Sequence, residues 1–216
     1  MTAPSSTRAD TDLCPPRGWR SQFAHPRSLG GWLAGALMAR KNAAINAAAV
    51  EALAVAPGDR VLEIGFGHGR TIAALARRTK AGFVAGVDPS ATMLAMASRR
   101  NRTGLRAGRV ELRQAGAEAL PFPDASFDKV LAVNSVQFWP GPGRSLAEAR
   151  RVLRPGGVLL LGIRLHNPAA GRFGSPGFRE EKVEPLRVAL EAGGFEDVRL
   201  DRRHAGREMV ALSGRT

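Results

Sequence analysis

Short apolar, β-branched runs alternate with segments of helical period along most of the chain. The runs at 60–64, 83–87, 109–114, 127–133 and 157–163 predict strands, and the segments 70–79, 91–100, 144–153 and 180–192 predict helices. Strands that alternate with helices imply a mostly parallel, doubly wound sheet covered on both faces, and right-handed crossovers restrict its topology. Two final runs, near 196–201 and 207–212, are separated by about five residues, too few for a helical crossover. They predict an antiparallel hairpin at one edge. Upstream, residues 29–54 are Ala-rich and helical and stop before the turn signal Pro57-Gly58-Asp59, while residues 1–27 are rich in Ser, Thr, Pro and Arg without a sustained period. The chain therefore divides into an N-terminal arm and helical lid over 1–56 and a core over 57–216.

At 216 residues the chain has the size of one α/β domain. An apolar share of 44% beside 24% charged residues sets aside the disordered and collagen-like classes. A lone cysteine, Cys14, supports neither an internal disulfide nor a Cys-rich zinc site, and nothing resembling a signal peptide precedes it. Both features point to a reducing, cytoplasmic compartment. The longest apolar run, 29–39, holds three glycines and stops at Arg40-Lys41, short of the roughly 20 residues of a membrane span. Tyrosine is absent, and His25, His68, His166 and His204 are too scattered for a local metal motif. The net charge of +13 is spread as +3 over residues 1–60, +6 over 61–150 and +4 over 151–216. Its one cluster, Arg99, Arg100, Arg102, Arg106, Arg109 and Arg113, lacks the interleaved aromatics that stack bases. It reads as a solvated face, and nucleic acid is disfavoured as a partner.

The chief chemical signal is Val61 to Gly69, an apolar strand that runs straight into Gly65-Phe66-Gly67-His68-Gly69 with a helix beginning at Arg70. Glycines there permit positive φ and let a ligand touch the backbone, while the helix offers unpaired N–H groups. A dinucleotide fingerprint needs glycine at position 70, and a phosphate-binding P-loop needs Lys followed by Ser or Thr. The chain has Arg70-Thr71 instead. The second strand ends at Asp88, which a doubly wound sheet brings beside the glycine loop, where it can accept from both hydroxyls of a ribose. Asp88-Pro89-Ser90 is also good helix-capping chemistry. Loop and acid together suit an adenosine-containing ligand.

From about Pro57 to Leu161 the residues resemble the class I S-adenosylmethionine-dependent methyltransferases of the methyltransferase domain 11 type. The segments that carry this resemblance are Val61–Gly69, Gly86-Val87-Asp88-Pro89-Ser90 with Met93, Ala117–Asp128, Asn134–Trp139 and Arg151-Val152-Leu153-Arg154-Pro155-Gly156-Gly157. The resemblance implies a Rossmann-like seven-stranded sheet with a terminal antiparallel hairpin, in agreement with the crossover argument. It implies S-adenosyl-L-methionine as cofactor, with Gly65, Gly67 and Gly69 facing the methionine end. Glu63 would hold the loop and the amino group, Asp88 would grip the ribose, and Pro89 and Met93 would flank adenine. His68 is either a contact for the methionine carboxylate or a solvent-facing loop residue. The family often has an acid at the position of Gly116 that accepts from the adenine amino group. Its absence leaves the Ala117 N–H, with Glu118 as a partial substitute.

Methyl transfer from a sulfonium is an in-line displacement that proximity and water exclusion accelerate, so a dedicated base is optional. The acceptor is expected beside the strand ending near Val133, with Asn134 and Val136 adjoining the cofactor and Gln137 and Trp139 lining the acceptor pocket. Asn42 and Asn46 lie four apart on one helical face and are expected to reach toward the site from a lid. The aperiodic segment 164–178 reads as a loop, and its His166 is the candidate base. The absence of a large insertion between strands favours a small-molecule acceptor, methylated at nitrogen, oxygen or carbon. The alternatives are an RNA methyltransferase that uses the Arg-rich face, or a non-catalytic cofactor-binding protein.

Overall fold

The computed structural model describes residues 43–166, 177–205 and 208–216. Its elements are α1 (Ala43–Ala52), β1 (Arg60–Ile64), α2 (Arg70–Arg78), β2 (Phe83–Asp88), α3 (Ala91–Arg100), α4 (Arg102–Arg106), β3 (Val110–Gln114), β4 (Phe127–Val133), α5 (Pro142–Val152), β5 (Leu153–Arg164), α6 (Val183–Ala192), β6 (Glu196–His204) and β7 (Glu208–Arg215). The strands form one sheet in the order β3-β2-β1-β4-β5-β7-β6. Pairing is parallel from β3 to β5, and β7 lies antiparallel between β5 and β6. The expected fold class and edge hairpin are both present.

The apolar runs are nearly continuous because both sheet faces are covered. Val61, Leu131 and Leu160 face α1, α2 and α3, packing with Ile45, Ala49, Ile72, Leu75 and Ala97. Leu62, Ile64, Leu159, Leu161 and Ile163 face the other way, with Leu146 and Ala149 of α5 and Leu186 and Leu190 of α6. Local chemistry fixes the helix starts. The Ser90 hydroxyl caps α3 by accepting from the Met93 N–H at 3.3 Å, and Pro142 occupies the first turn of α5, where its missing N–H costs nothing. Edge strand β6 is largely exposed and charged, which discourages edge-to-edge pairing.

Several boundaries differ from those expected. α5 spans 142–152 rather than 144–153. β5 begins at Leu153 rather than 157, because Leu153 pairs with Phe127 before the register jumps to Lys129 opposite Val158. The left-handed Gly156 (φ 76°) lies within that jump. Residues 180–192 split into a 3₁₀ turn, Glu180–Lys182, and α6. The hairpin strands run longer, to His204 and Arg215, and α4 was not anticipated.

α1 runs antiparallel to the neighbouring parallel strands. The carbonyls of Leu53 and Ala54, just past its C-terminal end, accept from the Lys129 ammonium near the start of β4. Ala49 lies against Gly162, which pairs with Val133 at the end of β4. The N-terminal end of α1 therefore points toward the carboxyl edge of the sheet.

Candidate functional site

Strand order reverses between β1 and β4, and in such sheets the crevice at the carboxyl ends of the two diverging strands receives ligands. The glycine loop leaves β1 there, and Asn134-Ser135 leaves β4. The exits are locked together: the Ser135 hydroxyl donates to the Ile64 carbonyl at 2.8 Å. A side chain at Gly65 would place its Cβ 2.5 Å from the Ser135 Cβ, and Gly65 has φ 82°, so only glycine fits. Gly69 is equally committed, its α-carbon lying against Ala97 and Asn101 of the α3 end. The Asn101 amide holds this corner by donating to the carbonyls of Gly69 and Ala97 at 3.0 and 2.9 Å. Gly67 (φ 52°) alone of the three has open space where a Cβ would project.

Asp88 sits at this loop, 7% exposed. Its Oδ2 accepts from the Gly67 N–H at 2.9 Å and its Oδ1 from the Ser90 N–H at 2.9 Å. These two bonds tie the end of β2 to the glycine loop and to Ser90, the residue that caps α3. Glu63 lies beneath the loop, 2% exposed. Burial pushes its carboxyl up to about 8; the negative charge of Asp88 adds to this, while hydrogen bonds from Thr71 and Ile72 oppose it. His68, at the loop tip, is pulled down to about 4 by burial and by the guanidinium groups of Arg100 and Arg70. Its imidazole is therefore neutral at neutral pH.

Four of the five buried polar side-chain atoms without a partner among the described residues are Glu63 Oε2, His68 Nε2, Asn134 Nδ2 and Gln137 Oε1. All belong to β1, its loop or the exit of β4. Native interiors rarely leave such atoms unpaired, so their concentration at one crevice marks a place for a polar ligand. With the open face of Gly67, it fits an adenosyl amino acid on this chain's residues.

The remaining predicted positions are placed as follows. Asn134 adopts a left-handed backbone (φ 51°), and its Oδ1 accepts from the Arg164 N–H at 2.8 Å. Gln137 turns its amide NH₂ to the Asn134 carbonyl at 2.9 Å. Val136 and Trp139 are core residues, 5% and 4% exposed, and Phe138 beside them is exposed. Pro89 is exposed and Met93 half-buried. Gly116 and Ala117 follow β3 directly, next to Asp88, whose carbonyl accepts from Ala115 at 3.2 Å. His166 is exposed at the end of β5, where its N–H donates to the Phe178 carbonyl. Asn46 is half-buried on α1, and Asn42 lies outside the described residues, as do residues 167–176 of the segment that carries His166.

Sequence reading missed Ser135, Asn101, Thr71 and Arg151. The Arg151 guanidinium donates to the carbonyls of Leu120 and Phe122, both at 2.9 Å, and pairs with Glu148 and Asp124. It straps the 117–124 segment onto α5. The Arg99–Arg109 cluster is exposed, and Arg113 pairs with Glu111. A polar hollow of about 490 Å³, lined in part by Lys129, Arg154, Arg199 and Arg215, opens at the opposite, amino edge of the sheet, away from the glycine loop. No metal-ligating cluster and no helix long and apolar enough to cross a membrane occur among the described residues.

Comparison with known proteins gives the same assignment. Residues 62–161 match the model of the methyltransferase domain. The chain is 30% identical over 166 residues to the uncharacterized methyltransferase YdaC of Bacillus subtilis (strain 168), covering 77% of this chain and 87% of that protein. It is 37% identical over 145 residues to the fatty-acid O-methyltransferase of Mycolicibacterium smegmatis, covering 66% of this chain and 49% of that longer enzyme. The fold is shared with a SAM-dependent methyltransferase from Aquifex aeolicus, with a TM-score of 0.66 at 20% identity over 79% of this chain and 88% of the other. The clamped glycine loop, the acid on the neighbouring strand and these matches lead to one conclusion: the chain belongs to the methyltransferase-domain family and is an S-adenosylmethionine-dependent methyltransferase.

Proposed function

We propose that the chain methylates a small molecule of largely apolar character, bound at the carboxyl edge between the exits of β1 and β4. The observation that carries the position of the reaction space is the crevice itself, where four unpartnered polar atoms and the open face of Gly67 meet the Asp88 carboxylate beside the exposed Phe138. The similarity to a fatty-acid O-methyltransferase supports the acceptor class.

When bound, S-adenosylmethionine supplies an electrophilic methyl group carried on a sulfonium. The chain's own residues then have separate tasks. Asp88 accepts from the ribose hydroxyls while keeping the Gly67 N–H in place. Glu63 and His68 face the amino acid end, and Pro89 and Met93 flank the base. Asn134, fixed by its bond from Arg164, presents its free NH₂ at the floor of the reaction space, and Gln137 with the exposed Phe138 borders the acceptor. Enforced proximity and exclusion of water suffice for such a displacement, so His166 is required only if the acceptor must lose a proton first. Asn46 adds to the site from the part of α1 that points to this edge.

The test is calorimetric titration with S-adenosylhomocysteine, followed by incubation with methyl-labelled cofactor and a panel of fatty acids, isoprenoid alcohols, quinols and RNA. Saturable binding with label appearing in a small apolar product supports the proposal. Label confined to RNA, or binding without any product, overturns it.

A further inference from the structure

Arginines that lie apart in the sequence share one side of the molecule. α2 buries Thr71, Ile72 and Leu75 and turns Arg70, Arg77 and Arg78 outward. The five arginines between positions 99 and 109 are exposed as well, on the last turn of α3, on α4 and on the turn that follows. Two hydrogen bonds join these groups into one surface. The Asn101 amide donates to the Gly69 carbonyl at 3.0 Å, which sets the end of α3 beside the start of α2. The Arg109 guanidinium donates to the Ala76 carbonyl at 3.5 Å, which brings the turn after α4 alongside the last turn of α2. Exposed Lys80 adds a further cation.

No acid answers this charge. Among the described residues, none of these arginines takes part in an ion pair. The one acid between positions 70 and 109 is Asp88, which is buried and engaged by the Gly67 and Ser90 N–H groups. Glu111, just beyond, pairs with Arg113. Helix chemistry explains part of the pattern, since cations in the last turns of α2 and α3 complement the helix dipole. It does not explain Arg70, the first residue of α2, where a cation opposes the dipole. Nor does it explain Arg100, whose guanidinium is pulled down by burial and then by the charge of Arg70. Like charges crowded within a Debye length of about 8 Å repel until an outside anion neutralises them.

The shape of the surface says which anion. Guanidinium forks match phosphate oxygens, and the surface runs at least the length of α2, about 13 Å. It therefore suits an array of phosphates rather than one. Nucleic acid and an anionic bilayer both present such an array. Phe83, the sole aromatic between positions 70 and 109, belongs to strand β2, so the surface offers no ring on which a base could stack. Its exposed neutral positions include the small Ala95, Ala107 and Gly108, which let a flat surface approach the guanidinium groups. Through Arg70 and Arg100, which flank His68, the surface also reaches the glycine loop and the mouth of the crevice.

We propose that the outer face of α2, α3 and α4 docks on an anionic lipid surface, its guanidinium groups on headgroup phosphates, and holds the crevice beside the bilayer from which an apolar acceptor enters. The choice of lipid as partner rests in part on the apolar acceptor proposed above, whereas the charge argument is independent of it.

The experiment is sedimentation of the full chain with vesicles of phosphatidylcholine, alone or with about 30% phosphatidylglycerol, in the absence of cofactor and acceptor. Partition onto the anionic vesicles is expected to be at least about 10-fold stronger at about 0.1 M salt and to be lost near about 0.5 M. Arg102→Ala/Arg106→Ala should weaken it about 25-fold, from about 5-fold for each arginine. Arg199→Ala/Arg215→Ala removes the same charge from exposed positions on β6 and β7, at the other side of the sheet, and should stay within about 2-fold of wild type. Circular dichroism checks the fold of each variant. Equal partition onto the two kinds of vesicle, or equal losses in the two double variants, overturns the proposal. Displacement from the vesicles by an RNA duplex of equal phosphate concentration overturns it in favour of nucleic acid. Because the vesicles carry no acceptor, failure here leaves methyl transfer to an apolar molecule standing, and failure of that transfer leaves vesicle binding standing.

Discussion

The Glu63 carboxyl, buried at the foot of the glycine loop, makes a sharp prediction about stability and pH. In the unfolded chain it titrates at an ordinary 4.5, and in the folded protein burial raises it to about 8. The native state therefore holds a proton that the unfolded state has released throughout the interval between those values. Stability from this group is full below pH 4.5 and falls as pH rises, by about 1.4 kcal/mol per unit, until the native carboxyl also ionises near 8. The whole interval corresponds to about 5 kcal/mol, and solvent penetration on relaxation reduces this to about 2–4 kcal/mol. Glu63→Gln keeps the size and an acceptor for Thr71 and Ile72 but has no proton to lose. Guanidinium unfolding of both proteins from pH 5 to 9 isolates the effect, because other titrating groups cancel in the difference. The wild type should lose stability relative to Glu63→Gln between pH 5 and 8, with the difference levelling off above 8. Parallel profiles would show that Glu63 is ionised in the native protein and that the burial argument is wrong.

Three other perturbations probe the same crevice. Gly65→Ala must both adopt φ 82° and push its Cβ into Ser135, and should cost about 2–5 kcal/mol of unfolding free energy by denaturant titration, whereas Gly67→Ala, with open space above it, should cost less stability. Asp88→Ala releases the Gly67 and Ser90 N–H groups, and calorimetry should show cofactor affinity reduced by about 1–3 kcal/mol with little change in the far-ultraviolet dichroism. Arg151→Ala frees two main-chain carbonyls and removes the ion pairs to Glu148 and Asp124, leaving Glu148 the bond from the Leu120 N–H. A loss of about 2–4 kcal/mol, with faster amide exchange across 117–124, is expected, and wild-type exchange there would discount the strap.

The strand-helix rhythm was readable because each parallel strand buries both faces and so appears as an uninterrupted apolar run. The loop and Asp88 were readable because their chemistry depends on residue type and spacing. Less accessible were the residues that brace the crevice from a distance in sequence. Ser135 holds Ile64 across 71 positions, and Asn101 holds Gly69 across 32. Neither shows a local signal, since an ordinary Ser or Asn acquires its role only when the sheet order places it. Trp139 illustrates the opposite error of inference: an aromatic in an active-site loop suggests a pocket wall, yet it is in the core, with Phe138 left exposed beside the crevice. At Gly116 the sequence shows only an absent side chain, and the Glu118 carboxylate lying beside it is visible only in the structure.

The opposed course of α1 also governs how the protein can be handled. Thr216 is fastened to Gly156 and Gly157 at the foot of the sheet, while Ala43 begins a helix whose leading end is directed toward the reaction crevice. A surface tether or fluorophore attached beyond Thr216 leaves the entrance clear for ligands. The same label on the exposed Ala43 or Ala44 would lie toward it, so immobilised binding assays should be anchored near Thr216.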